Sequence, residues 1–233
     1  MKSNESRFEK AEIGNGCQID DNVILGYRFH ADCGPTHLGR ECSLRAGTVI
    51  YGDVIIGNYF LGGHNIVIRA QVRTGDHCAM GNHSAIEGIV RLGTGVRIMS
   101  HTYIPSRTWI GDHVFIGPGV TFLNDKYPYR RDPAPTPRGA TLENDVMIGG
   151  GSTVLPEVTI GERSFIGAGT LVNKDVPPRS LVIGVPGQVS PLPKTLDCPN
   201  TRAYTTSSYD LWDQNKSYTG GNEWPEDWPE TFV

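Results

Sequence analysis

At 233 residues and a formal charge of −4, the chain suits one substantial domain with an appendage rather than two large domains. A nearly neutral body offers no global field for nucleic acid or an anionic membrane, so any phosphate-bearing ligand must be held by local groups. No apolar run reaches the roughly 18 residues that span a bilayer, and residues 1–10 are too polar for a signal peptide, so a soluble cytoplasmic protein is expected.

In chain order, residues 1–12 form an N-terminal segment, after which a step of six appears as Ile13, Ile19 and Leu25. An irregular stretch near 26–37 breaks the phase. The beat then runs unbroken as Leu38, Leu44, Ile50, Ile56, Gly62, Ile68, Thr74, Met80, Ile86, Leu92, Ile98, Ile104, Ile110, Ile116 and Phe122, with only Gly62 and Thr74 departing from the apolar rule. The slot four residues later is small or β-branched nearly throughout, from Cys42 and Thr48 to Val114 and Val120. Residues 123–141 leave the repeat as a loop rich in Pro and Arg, and the step resumes as Leu142, Ile148, Val154, Ile160, Ile166 and Val172. Past Val189 it stops. Residues 190–233 carry seven acids against three bases, together with Trp212, Trp224, Trp228 and Phe232. That is more apolar surface than a solvated linker carries, so this tail is expected to pack on the body or on a neighbour.

A period of six fits neither a helix, at 3.6, nor a flat alternating strand, at 2. It describes short strands separated by corners. Three hexads close one triangular coil of 18 residues, and coils stack about 4.8 Å apart with like residues in columns. Glycine follows many of the apolar positions (Gly39, Gly57, Gly81, Gly93, Gly111, Gly117, Gly149, Gly161, Gly167), where it is expected to relieve tight corners. The cysteine count is odd, at five. The register turns Cys17, Cys42 and Cys78 inward, and Cys42 and Cys78 lie two coils apart, about 10 Å and beyond disulfide reach. No CxxC pair suggests zinc.

These features resemble the hexapeptide-repeat acyltransferases, through GTVIY (47–51), GHNIVIR (63–69), IEG (86–88), YIP (103–105), IGPGVTFLNDKYP (116–128) and VNKDVPPRSLVIGVPG (172–187). Within that group the chain is similar to the sugar-nucleotide N-acetyltransferases. The resemblance implies an all-β fold, a left-handed parallel β-helix over 13–189 with one ejected loop and an irregular C-terminal tail. It also implies a homotrimer with clefts between adjacent helices, acetyl-CoA as co-substrate, no metal, and the amine of a nucleotide-linked amino-deoxysugar as acceptor.

Acetyl transfer to an amine needs a neutral nucleophile, a polarised thioester carbonyl, and a proton returned to the leaving thiolate. Asn124 matches the asparagine that the family places beside the acceptor amine, and Asp125 could accept a proton. Asn-Asp is equally common turn chemistry. Residues 18 apart share a column, which places Asn65, His83 and His101 together at a corner. An imidazole suits general-base work, and His101, nearest the loop, is the stronger candidate; a surface ladder without a duty is the alternative. His64 matches a family histidine. Glu87, where most repeats are small, could bind sugar hydroxyls or orient a histidine, or be a solvated charge. Tyr127 joins the loop candidates, and Arg73 and Arg91, stacked one coil apart, could hold a diphosphate. The family places pantetheine against the late coils, where Gly149, Gly150, Gly167 and Ala168 allow close backbone approach. Lys174 and Arg179 are the natural partners for its phosphates. Rival readings are a same-fold acetyltransferase acting on an antibiotic, a free sugar or an amino acid precursor, a carbonic-anhydrase-like metalloenzyme, and a non-catalytic scaffold trimer.

Overall fold

The computed structural model describes residues 10–128, 130 and 136–200. The aromatic and acidic residues 201–233, and the packing expected of them, lie outside the described residues. The described chain forms 26 short strands in three sheets. No helix among the described residues is long and apolar enough to cross a membrane.

The sheets are the faces of a triangular prism wound as a left-handed β-helix. Face A runs through eight strands from Ala11–Ile13 to Thr159–Ile160. Face B runs from Gln18–Ile19 to Ser180–Ile183 and is closed by Gln188–Pro191, which pairs antiparallel as a terminal hairpin. Face C runs from Ile24–Tyr27 to Leu171–Val172. All other pairings are parallel, and their register shows why the sequence repeats. Leu38 lies beside Ile56, and Leu92 beside Ile110, each one coil of 18 residues on. Ile13 pairs with Leu38, a step of 25, and Ile110 with Leu142, a step of 32, so the coils contain insertions of 7 and 14 residues. Both insertions leave the prism at the edge between faces C and A.

The inward columns bury almost completely: Leu44, Ile50, Ile68, Ile86, Ile104, Ile116 and Ile148 are all 0% exposed. The two exceptions to the apolar rule have local reasons. At Gly62 a Cβ would meet Leu44 Cδ2 at 2.8 Å and Phe60 Cε1 at 3.2 Å, so the Phe60 ring occupies that space. Thr74 Oγ1 accepts from the Gly57 amide (3.1 Å) and donates to the Gly75 carbonyl (3.1 Å), satisfying a backbone group at the corner. The small polar slots work the same way. Ser84 and Thr102 hydroxyls both donate to the Met99 carbonyl, at 3.0 and 2.8 Å, and Ser152 donates to Gly149 and Gly167 carbonyls at 2.8 and 3.0 Å. Burial pushes the Cys42 thiol up to about 12 and the Cys78 thiol up to about 11. Both are free and buried, whereas Cys17, in the first coil, is half-buried.

The corner glycines do something other than expected. None of the nine adopts the left-handed conformation. The left-handed turn is made one hexad after another by Tyr59, Asn65, Gln71, His77, His83, Ile89, Gly95, His101, Arg107 and His113, with φ between 54° and 69°. The glycines serve the stacking instead: a Cβ on Gly39 would lie 2.6 Å from the Asn58 amide nitrogen, and one on Gly117 2.5 Å from that of Gly150. Close coil spacing, not backbone freedom, excludes a side chain there.

Each buried isoleucine belongs to one continuous core, so truncation leaves a cavity that short strands cannot collapse. Ile104→Ala should cost about 2–5 kcal/mol, read as a lower denaturant midpoint at unchanged slope.

Candidate functional site

The faces of the prism are regular, and the three edges divide the candidate residues. The edge between B and C carries the column Asn65, His83, His101, Gly119, Gly151, Gly169, all left-handed. The His83 and His101 rings stack at 5.2 Å and 11°. Beyond His101 the column changes character: a Cβ built on Gly119, Gly151 or Gly169 would have nothing within 4 Å. The missing side chains leave a bare strip of backbone, one imidazole deep at its head. Beside it runs the column His64, Asn82, Ser100, Pro118, Gly150, Ala168. The His64 amide donates to Asn82 Oδ1 at 2.7 Å, but the late positions have no such acceptor, and the Gly150 and Ala168 amides donate to nothing among the described residues. Gly149 and Gly167 are set back by packing. A side chain on Gly149 would strike the Ala168 amide, and a Cβ on Gly167 would lie 3.1 Å from Ile183 Cγ1. The edge between B and C thus gathers His64, His83, His101, Gly149, Gly150, Gly167 and Ala168.

The edge between C and A carries the other group. Asn124 leaves face C at the start of the long insertion, and its Nδ2 donates to Ser106 Oγ at 3.0 Å and to the Ser106 carbonyl at 3.4 Å. With Nδ2 so engaged, Oδ1 accepts from nothing among the described residues and is free to receive an N–H. The Arg138 amide donates to the Asn124 carbonyl at 2.8 Å and ties the return limb of the loop to its start. Asp125 Oδ1 accepts from the Tyr127 amide at 2.8 Å, which is turn chemistry. The exposed Tyr127 ring follows it. Lys126 Nζ bonds Glu157 Oε2 at 2.5 Å; that bond pushes the Lys126 amine up and the Glu157 carboxyl down. Lys174 lines the same cavity with Asp125 and Glu157. Further along the edge, Glu87 pairs with Arg69 at 2.6 Å, and Arg69 lies 5.7 Å over the Tyr51 ring. Burial, aided by the Glu87 carboxylate, pushes the Tyr103 phenol up.

Arg73 and Arg91 are register neighbours on the outer side of face A. Arg179 lies on the remaining edge, paired with Asp197 at 3.2 Å. Neither Lys174 nor Arg179 is therefore brought to the glycine strip. His101 and Ser106, the Asn124 partner, are separated by five residues of extended chain, about 16 Å. Among the described residues no group of three or more His, Cys, Asp or Glu side chains is placed to hold a metal ion.

The family model described as bacterial transferase hexapeptide (six repeats) matches residues 139–174, and the register extends the same repeat on both sides of them. Residues 139–174 thus carry the hexapeptide repeat that this family model describes. It is 31% identical over 180 residues to the bifunctional protein GlmU of Geotalea uraniireducens, covering 77% of this chain and 35% of that protein. It is 36% identical over 106 residues to the galactoside O-acetyltransferase of Lactococcus lactis, covering 43% and 51%. The chain thus spans about a third to a half of these relatives. The crystal structure of LpxA, a UDP-N-acetylglucosamine acyltransferase from Bacteroides fragilis, shares the fold at a TM-score of 0.63 and 16% identity, over 94% of this chain and 83% of that one.

The strip at Gly119, Gly151 and Gly169 is the feature that reading the sequence missed. The signal was present: Gly119 is 18 residues after His101, and Gly151 and Gly169 are 18 apart. The 14-residue insertion between Gly119 and Gly151 hides the column unless the register is carried across it.

Proposed function

We propose that the protein is an acetyltransferase that moves the acetyl group of acetyl-CoA to the amine of a nucleotide-linked amino-deoxysugar, working as a cytoplasmic homotrimer. The observation that carries this reading is the column in which His101 heads a strip of bare backbone at Gly119, Gly151 and Gly169. A long flexible arm ending in a thioester fits such a strip of backbone with an imidazole at its head. The names of the relatives support acetyl transfer.

When bound, acetyl-CoA supplies an activated acyl carbon and a thiolate leaving group. His101 takes the proton of the attacking amine as the carbon–nitrogen bond forms and returns it to sulfur as the carbon–sulfur bond breaks. The Gly150 and Ala168 amides are available to the oxygen that gains charge. Asn124 orients the amine through its free Oδ1, fixed by Ser106. Because reacting atoms must approach within about 3–3.5 Å, and His101 and Asn124 sit on different edges of one prism, Asn124 comes from the partner subunit. Asp125, engaged in its turn, and Glu87, paired with Arg69, support the loop and edge rather than the proton transfer.

The test is acetylation of UDP- and dTDP-linked amino sugars, followed as thiol release. Asn124→Ala should lower kcat/KM by about ten- to a thousandfold, the effect of removing one positioned polar group; activity near wild type on the right substrate would overturn its role. A second reading, acetylation of a sugar hydroxyl, is favoured by the similarity to the galactoside enzyme. Turnover of galactosides in preference to amino sugars would establish it.

A further inference from the structure

We propose that the nucleotide half of the acceptor lies on face A, with its diphosphate across Arg73 and Arg91 and a flat ring on Trp109; this rests on the reading of the acceptor as a nucleotide-linked sugar. The outward column of this face reads His37, Ile55, Arg73, Arg91, Trp109, Thr141, with Arg73 beside Arg91 and Arg91 beside Trp109 in the register. From His37 to Trp109 it forms the floor of a groove of about 560 Å³, within the ordinary size range for small-molecule sites. The two insertions at the C–A edge frame it. Pro35, from the first, closes one end, and Arg138 and Gly139, from the second, wall a continuation of about 630 Å³ that shares Trp109 and adds Arg107.

The charges in this groove are unbalanced. Arg73 and Arg91 are exposed and lie one rung apart (about 4.8 Å), and their guanidinium groups have neither an ion pair nor a hydrogen bond among the described residues. Like charges facing each other across a strand pair repel. Of the nearby carboxylates, Asp53 holds the Gly34 amide through Oδ1 at 2.7 Å, and Glu157 pairs with Lys126. A ligand with two linked anionic groups at rung spacing satisfies both guanidiniums, and Arg holds phosphate through paired N–H donors. On the next rung Trp109 is 43% exposed and offers a flat apolar surface for a base or sugar ring. Ile89, which forms the groove wall at φ 62° and 37% exposure, keeps a β-branched side chain in a backbone region that disfavours it, and so adds apolar surface on the edge side.

CoA also joins a diphosphate to an aromatic base. The groove, however, is walled by edge residues Asp53, Gln71 and Ile89, and so runs along the edge that carries Asn124 rather than the one that carries the glycine strip. The acceptor is therefore its occupant.

Titration calorimetry on the full chain with UDP, dTDP and 3′,5′-ADP tests this. UDP or dTDP should bind the wild type. The double variant Arg73→Gln/Arg91→Gln should weaken that binding roughly thirtyfold or more and Trp109→Ala roughly tenfold, with acetyl-CoA affinity unchanged in both. No binding of either pyrimidine nucleotide to the wild type, undiminished binding in the variants, or a loss of 3′,5′-ADP and acetyl-CoA in their place would overturn the proposal. If the groove fails while acetyl-CoA still binds and nucleotide-free amino sugars are still acetylated, the transferase reading stands; if acetyl-CoA does not bind, that reading falls as well.

Discussion

His101→Ala should lower kcat by about a hundred- to ten-thousandfold, the range for a positioned general acid–base, while the affinity for acetyl-CoA stays close to wild type. The imidazole heads the glycine strip without forming any part of it, so under the proposed function its removal would take away the proton carrier and leave the proposed track for the cofactor arm intact. Stability should change little. The ring is exposed and its main described contact is the 5.2 Å stack on His83, a pair of the kind that contributes about 0.5–1.5 kcal/mol. His83 supplies the internal control: one coil further from the strip, it should tolerate alanine with a much smaller loss of kcat. Equal losses at His83 and His101, or no loss at either, would remove the histidine column from the chemistry.

The second large effect is expected at Gly151. Its slot is left-handed, at φ 68°, so most substitutions would confuse strain with blockage. Asparagine avoids the confusion, because the same column already holds Asn65 at φ 54° and asparagine is among the residues that visit this region routinely. Gly151→Asn should therefore melt near wild type. Its side chain, however, enters the space where a Cβ now meets nothing within 4 Å, and acetyl-CoA affinity should fall about a hundredfold, roughly 2.7 kcal/mol. Calorimetry reads the affinity and a thermal melt reads the fold. A variant that melts normally and binds acetyl-CoA as the wild type does would mean that the cofactor lies elsewhere.

The fold was legible because a prism must repeat. Leu38, Ile56, Leu92 and Ile110 are apolar at fixed spacing since each stacks on the one before, and no other architecture asks for that beat. The histidine column was legible for the same reason. What escaped the sequence were properties that depend on position across the prism. His101 and Asn124 are close in sequence, yet one turns at the B–C edge and the other leaves at the C–A edge, so nearness along the chain misrepresents nearness in space. Arg179 reads as a free cation, but its partner Asp197 comes from the segment after the repeat, which carries no period. The sequence matched Asn124 to a family asparagine and offered Asp125 beside it as a proton acceptor; the hydrogen bonds add that the amide is held by Ser106 and that Asp125 Oδ1 caps the turn at the Tyr127 amide. The corner glycines were located correctly for the wrong cause, since periodicity shows where a side chain is absent and not which clash excludes it.

Mixing two inactive chains tests the central claim most directly. If the glycine strip and His101 of one protomer work with Asn124 of the partner subunit, His101→Ala and Asn124→Ala chains, unfolded together and reassembled in equal amounts, should regain activity, because about one quarter of the clefts in a random cyclic trimer join two intact halves. If both residues served one site within a single chain, every chain in the mixture would carry a defect in its own site. Reassembled mixed trimers that remain as inactive as either parent would contradict the account.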